Sequence, residues 1–145
     1  MPLMHAGLTD PDYGFDIKDE ANHQLRIDIP VEQGGKGTGF RPMQTVLAAL
    51  CGCSGVDIVS ILKKQKQELH GLEIKIDGER EHDKTPSLWE RIHMTFEISG
   101  DIEPGKAWRA VELSVNKYCS VAETLRRAGA TITWSVFVNK AEIIA

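Results

Sequence analysis

At 145 residues with a formal net charge of −4, the chain is long enough for one domain that buries about 68–70% of the surface its unfolded form would expose. The acidic balance and the lack of a long Lys/Arg run argue against a phosphate-backbone binder, so no nucleic-acid partner is expected. No run of 18 uninterrupted apolar residues occurs, and the opening MPLMHAGLTDPDYG has neither a basic nor an apolar targeting region. The expectation is a cytoplasmic single domain over residues 1–145, without a membrane partner.

Phe15 and Ile17, then Leu25, Ile27 and Ile29, alternate with polar residues around the turn stretch KDEANH. This period of two predicts a β-hairpin with one buried face. Gly34, Gly35, Gly37 and Gly39 then form a segment expected to be flexible, leading to Pro42. Proline suits a first helical position, where its missing N–H would have no intrahelical partner. A helix is predicted from Pro42 to about Glu68, apolar almost all round as far as Leu62, with Gly71 as its stop. Lys63, Lys64 and Lys66 read as its solvated end, where cations complement the dipole. A helix apolar on every face is buried on every face. One small domain cannot surround it, so an obligate homodimer is expected.

Leu72, Ile74 and Ile76 alternate with charged residues, as do Ile92, Met94, Phe96 and Ile98 with polar ones, which predicts a second hairpin around HDKTPS. Asp101 and Pro104 open a helix to about Tyr118. Ser120 and Glu123 form the S-x-x-E pattern of a capping box, starting a short helix that ends at Gly129. TITWSVFV, rich in β-branched and aromatic residues, reads as a last strand. The order ββ-α-ββ-αα-β implies an α+β fold with antiparallel sheet.

Three cysteines are an odd number for a structural disulfide framework. Cys53 lies mid-helix, where the macrodipole gives little help to a thiolate. Cys119 lies just before a helix N-terminus, where backbone amides and the dipole should favour one. One thiol is thus a candidate nucleophile and the other a candidate partner. Cys51 projects about 200° away from Cys53 on a helix, so the pair is poorly placed for one metal or one disulfide. His5, His23, His70, His82 and His93 show no metal-binding spacing, so neither a metal nor a cofactor is expected. Asp57 lies one turn beyond Cys53. A bare carboxylate there opposes thiolate formation, so Asp57 is expected to orient another group or to pair with a base.

The segments GGKGTGFRP, AALCGCSGVDIVSILKK, IKIDGER, LWERIHMTFEISG and AVELSVNKYCSVAETLRRAGATI, in that order, resemble the OsmC/Ohr family of thiol-dependent hydroperoxide-reducing proteins, and most closely its OsmC-like subgroup. The resemblance implies an OsmC-like fold, with curved antiparallel sheets wrapped around long central helices in an intertwined homodimer and active sites at the subunit interface. It implies that Cys53 is the peroxidatic thiol and Cys119 the resolving thiol, with a small-molecule organic hydroperoxide as substrate and an external dithiol as reductant. Three departures stand out. Ser120 replaces the usual proline after the second cysteine. Met43 and Gln44 occupy the positions after Pro42 where peroxidase-competent relatives carry one or two Glu. The activating Arg has no unambiguous counterpart, Arg80 of the GER segment being the cation the subgroup pattern implies and Arg26 lacking the family's context. Gln44 can hydrogen-bond but cannot form a salt bridge. The alternative reading is therefore a non-peroxidatic OsmC-like dimer that binds a small apolar ligand.

Overall fold

The computed structural model describes residues 2–9 and 11–144. Its internal contacts divide the chain into two compact units, residues 1–48 and 49–145.

In the first unit β1 (His5–Leu8), β2 (Phe15–Lys18) and β3 (Gln24–Ile27) form an antiparallel sheet in that order. The expected hairpin is β2 and β3, and β1 adds a third strand. The β2–β3 turn is tied by Asp19, whose Oδ1 accepts from the amides of Ala21 and His23, each at 2.9 Å. The glycine-rich segment that follows is pinned, contrary to the flexibility expected of it. Asp28 is buried and accepts from Thr38 Oγ1 at 2.7 Å, the Thr38 amide at 3.0 Å and the Ile29 amide at 2.7 Å. Led by the Thr38 hydroxyl, these donors hold its carboxyl down at about 2. The backbone bonds Gly37 N–H to Ile29 and Phe40 N–H to Arg26, both 3.1 Å, fasten the segment to β3 and the residues just after it. Gly35 is required because a Cβ there would collide with the Ile29 carbonyl oxygen.

Helix α1 (Pro42–Lys64) starts at the expected proline and ends four residues earlier than expected. Lys66 takes a left-handed φ of 56°, and the Gln67 amide turns back to the Leu62 carbonyl at 2.9 Å. By length and composition α1 could cross a membrane. In the second unit Leu50, Ser54, Ile58 and Leu62, four residues apart, form its buried line. Val56, on another face, is 68% exposed.

Strands β4 (Glu68–Arg80) and β5 (Trp89–Asp101) pair antiparallel. Gly71 is not a helix stop; it lies in β4, at a register shift where a side chain would crowd Ser99 Oγ. Ile92, Met94, Phe96 and Ile98 of β5 all point into the core, as their alternation requires. Helix α2 (Pro104–Leu113) runs into a π-helical turn, Ser114–Tyr118, followed by α3 (Ser120–Arg127), β6 (Thr131–Val138) and β7 (Ala141–Ile143). Ala107, Ala110 and Val111 of α2 and Ala122 and Leu125 of α3 complete the core.

The sheet order is β4-β5-β6-β7. The α+β class is as expected, but the sheet is not wholly antiparallel, since β5 and β6 pair parallel. The α2–α3 crossover carries the chain back to the end of the sheet where β5 began, the connection a parallel pair needs.

Candidate functional site

Residues four apart on a helix share a face, so α1 presents Cys53 and Asp57 together. Cys119 comes to them from a segment more than sixty positions later, and the turn preceding it explains how. In the π-helical turn the Cys119 amide reaches back to the Ser114 carbonyl at 2.8 Å. That wider loop is a form often found at functional positions. Arg126 of α3 braces it, donating to the Val115 carbonyl and, at 3.2 Å, to Asn116 Oδ1. The result is a cluster in which Cys53 Sγ, Cys119 Sγ and a carboxylate oxygen of Asp57 all lie within 4.8 Å of one another. Both cysteines are free thiols.

Ser114 locks the cluster. Its side chain is fully buried, and its hydroxyl lies 3.0 Å from Asp57 Oδ2 and 3.3 Å from the Ser54 carbonyl. A hydroxyl has one proton, and the carboxylate is the nearer acceptor. Asp57 is therefore held by a serine, where the sequence suggested a base or an unnamed group. A polar residue in the apolar run of Ala107, Ala110, Val111 and Val115 was the available signal, because a buried hydroxyl demands a partner.

The cap of α3 differs from the expected box. Cys119 itself is the N-cap, its Sγ accepting from the Ala122 amide at 3.4 Å. Ser120 is the first helical residue, and Glu123 pairs with Arg127 at 3.0 Å. The expected thiolate stabilisation at this helix end is also outweighed. Cys119 is only 3% exposed, and burial pushes its thiol up to about 11, assisted by its hydrogen bond to Cys53 and against the opposing amide bond from Ala122. Desolvation disfavours the charged form more than a helix terminus favours it. Cys51, half-buried, is likewise pushed up by burial.

Gln44 and Arg80 each have hydrogen bonds of their own. Gln44 Oε1 accepts from the Arg41 amide at 3.1 Å, the reciprocal half of a capping box at the start of α1. Arg80 donates to the Ser87 carbonyl at 2.8 Å and lies 6.0 Å from the Trp89 ring. Arg26 is held by Asp16 at 3.4 Å and Thr38 at 3.1 Å.

An α+β chain that brings two free thiols from distant segments beside a fixed carboxylate defines a dithiol protein. The model of the family described as OsmC-like protein matches residues 35–135, and the chain belongs to that family. A relative, protein YhfA of Escherichia coli strain K12, is 39% identical over 109 residues, covering 74% of this chain and 78% of the relative. Among solved structures, a hypothetical protein from Aquifex aeolicus VF5 superposes with a TM-score of 0.79 at 28% identity, covering 96% of this chain and 98% of that one. An organic hydroperoxide resistance protein OsmC from Legionella pneumophila shares the fold, with a TM-score of 0.72 at 17% identity over 95% and 97% of the two chains.

Proposed function

We propose that this chain is a cytoplasmic, homodimeric, thiol-dependent reductase of organic hydroperoxides. Family membership supports the broader stress- and redox-related role, and the approach of Cys53 to Cys119 within 4.8 Å carries the finer reading. Cys53, as thiolate, attacks the distal oxygen of the hydroperoxide. The O–O bond breaks, the alcohol leaves with one proton, and Cys53 becomes a sulfenic acid. The Cys119 thiol then attacks that sulfur, expelling water and closing a disulfide, which an external dithiol reduces. Electrons and atoms balance on sulfur alone, with no cofactor required.

The two thiols supply unequal parts. Cys119 lies within 4.8 Å of Cys53 and is the more enclosed of the two, which suits a thiol that waits for a sulfenate. Cys53 is the more open to an incoming peroxide. Apolar surface that one chain leaves uncovered supports the dimer. Gly52, Val56 and Val59 of α1 with Leu72 and Ile74 of β4 line an open hollow of about 470 Å³. A second copy covering it would enclose an apolar approach suited to an alkyl or acyl hydroperoxide.

The second reading, a non-peroxidatic dimer binding a small apolar ligand, draws on the same hollow and on the lack of a carboxylate at Met43 and Gln44. The deciding experiment follows cumene hydroperoxide consumption with excess dithiol by the wild type, Cys53→Ser and Cys119→Ser. Loss of turnover in Cys53→Ser and accumulation of sulfenic acid in Cys119→Ser support the reductase. A wild type no faster than Cys53→Ser supports the ligand binder.

A further inference from the structure

We propose that the reduced protein holds a thiophilic divalent cation, zinc in particular, at Cys53, Asp57 and Cys119, and that disulfide formation expels it. Binding is independent of the peroxidase reading, since it requires only that the three side chains sit where the structure places them, while expulsion rests on the disulfide of the proposed function.

The donor set has the composition of an open zinc site: two sulfurs and one carboxylate oxygen, all within 4.8 Å of one another, leaving a fourth position for water. Neighbouring ligands on a tetrahedral ion at about 2.0–2.3 Å stand about 3.3–3.8 Å apart, so small side-chain rotations would bring the donors onto one ion. Two outer hydrogen bonds already fix the ligands. Ser114 Oγ donates to Asp57 Oδ2 at 3.0 Å, leaving the other carboxylate oxygen free of that bond, and the Ala122 amide donates to Cys119 Sγ at 3.4 Å. Such supports orient ligands in metal sites. The set escapes a search by spacing because Cys53 and Asp57 are one helical turn apart while Cys119 arrives from a different helix.

Binding replaces two thiol protons with one M²⁺. Oxidation by a hydroperoxide ROOH then consumes two protons, forms the Cys53–Cys119 bond, and yields ROH, water and free M²⁺. Metal and disulfide are mutually exclusive, so the ion would shield the dithiol until an oxidant removes both sulfurs.

The test titrates the fully reduced protein anaerobically with Zn²⁺ by calorimetry, and with Co²⁺ to read thiolate-to-metal charge transfer. The expected result is one ion per chain, a two-thiolate Co²⁺ spectrum, and binding unchanged in Cys51→Ser. Asp57→Asn and Ser114→Ala should each weaken binding by about 10–100-fold. Wild type oxidised to the Cys53–Cys119 disulfide should not bind, a control that keeps the native sequence where a substituted chain might not fold. No binding by the reduced wild type below millimolar Zn²⁺ would overturn the proposal. So would binding that survives oxidation, or that follows Cys51 or a histidine.

Discussion

Ser114→Ala isolates the interaction that holds the cluster together. The lost hydroxyl is fully buried and lies 3.0 Å from Asp57 Oδ2. A hydrogen bond to a charged group contributes about 1.5–3 kcal/mol, and the small void left behind adds little. The expected destabilisation is about 2 kcal/mol. With a urea slope of about 2 kcal/mol/M for a chain of this size, the unfolding midpoint should fall by about 1 M with the slope unchanged. Protomer concentration must be held fixed, because association adds to apparent stability by mass action. The double mutant with Asp57→Asn should show a coupling of about 1 kcal/mol or more, since the residues touch. A midpoint shift below about 0.3 M, or additive single effects, would show that Ser114 does not anchor the carboxylate.

Three further outcomes are expected. Asp28 is held at about 2 in the folded chain, below the ordinary value, so the unfolded chain binds more protons between about pH 4 and 2; its stabilisation is complete above that window and is lost as pH falls through it. Urea unfolding of wild type and Asp28→Asn from pH 5 to 2 should show the gap between them closing toward pH 2, and a constant gap would refute the assignment. Gly35→Ala forces a Cβ against the Ile29 carbonyl and should cost about 1–3 kcal/mol, read as a lowered melting temperature; an unchanged melting temperature would contradict the tight pinning of that segment. Sedimentation at micromolar concentration should show a dimer that Val56→Glu converts to monomer, whereas a folded wild-type monomer would remove the interface active site.

Long periodic segments were legible from the residues. The alternation in β4 and β5, the proline start of α1 and the β-branched run of β6 all announce themselves, because burial of one face imposes a period of two and a proline needs no helical donor. The strands HAGL and AEI did not, since four and three residues are too short to establish a period and both depend on the strand beside them. Gly71 was misread because a glycine after a helix signals a stop, yet here the left-handed turn falls at Lys66 and the glycine serves a crowded crossing with Ser99. The parallel β5–β6 pair depends on where a crossover lands, which no local pattern encodes.

The site was half visible. Cys53 and Cys119 were singled out by their settings and by family resemblance. Their meeting with Asp57 depends on a π-helical turn, Ser114–Tyr118, within the stretch that reads as one continuous helix to Tyr118. The capping sulfur replaced the serine expected in that role, and burial reversed the expected tuning of Cys119. For Gln44 a place near the chemistry rests on the resemblance alone; its side-chain carbonyl accepts from the Arg41 amide at the start of α1.

The most direct test treats the fully reduced protein with one equivalent of cumene hydroperoxide, blocks remaining thiols, and maps disulfides by mass spectrometry without reduction. The expected product is a single intramolecular Cys53–Cys119 bond, with Cys51 alkylated, one alcohol released per disulfide, and full reversal by a dithiol. A chain that keeps both thiols, or one whose dominant disulfide contains Cys51, would contradict the reading of Cys53 and Cys119 as a working redox pair.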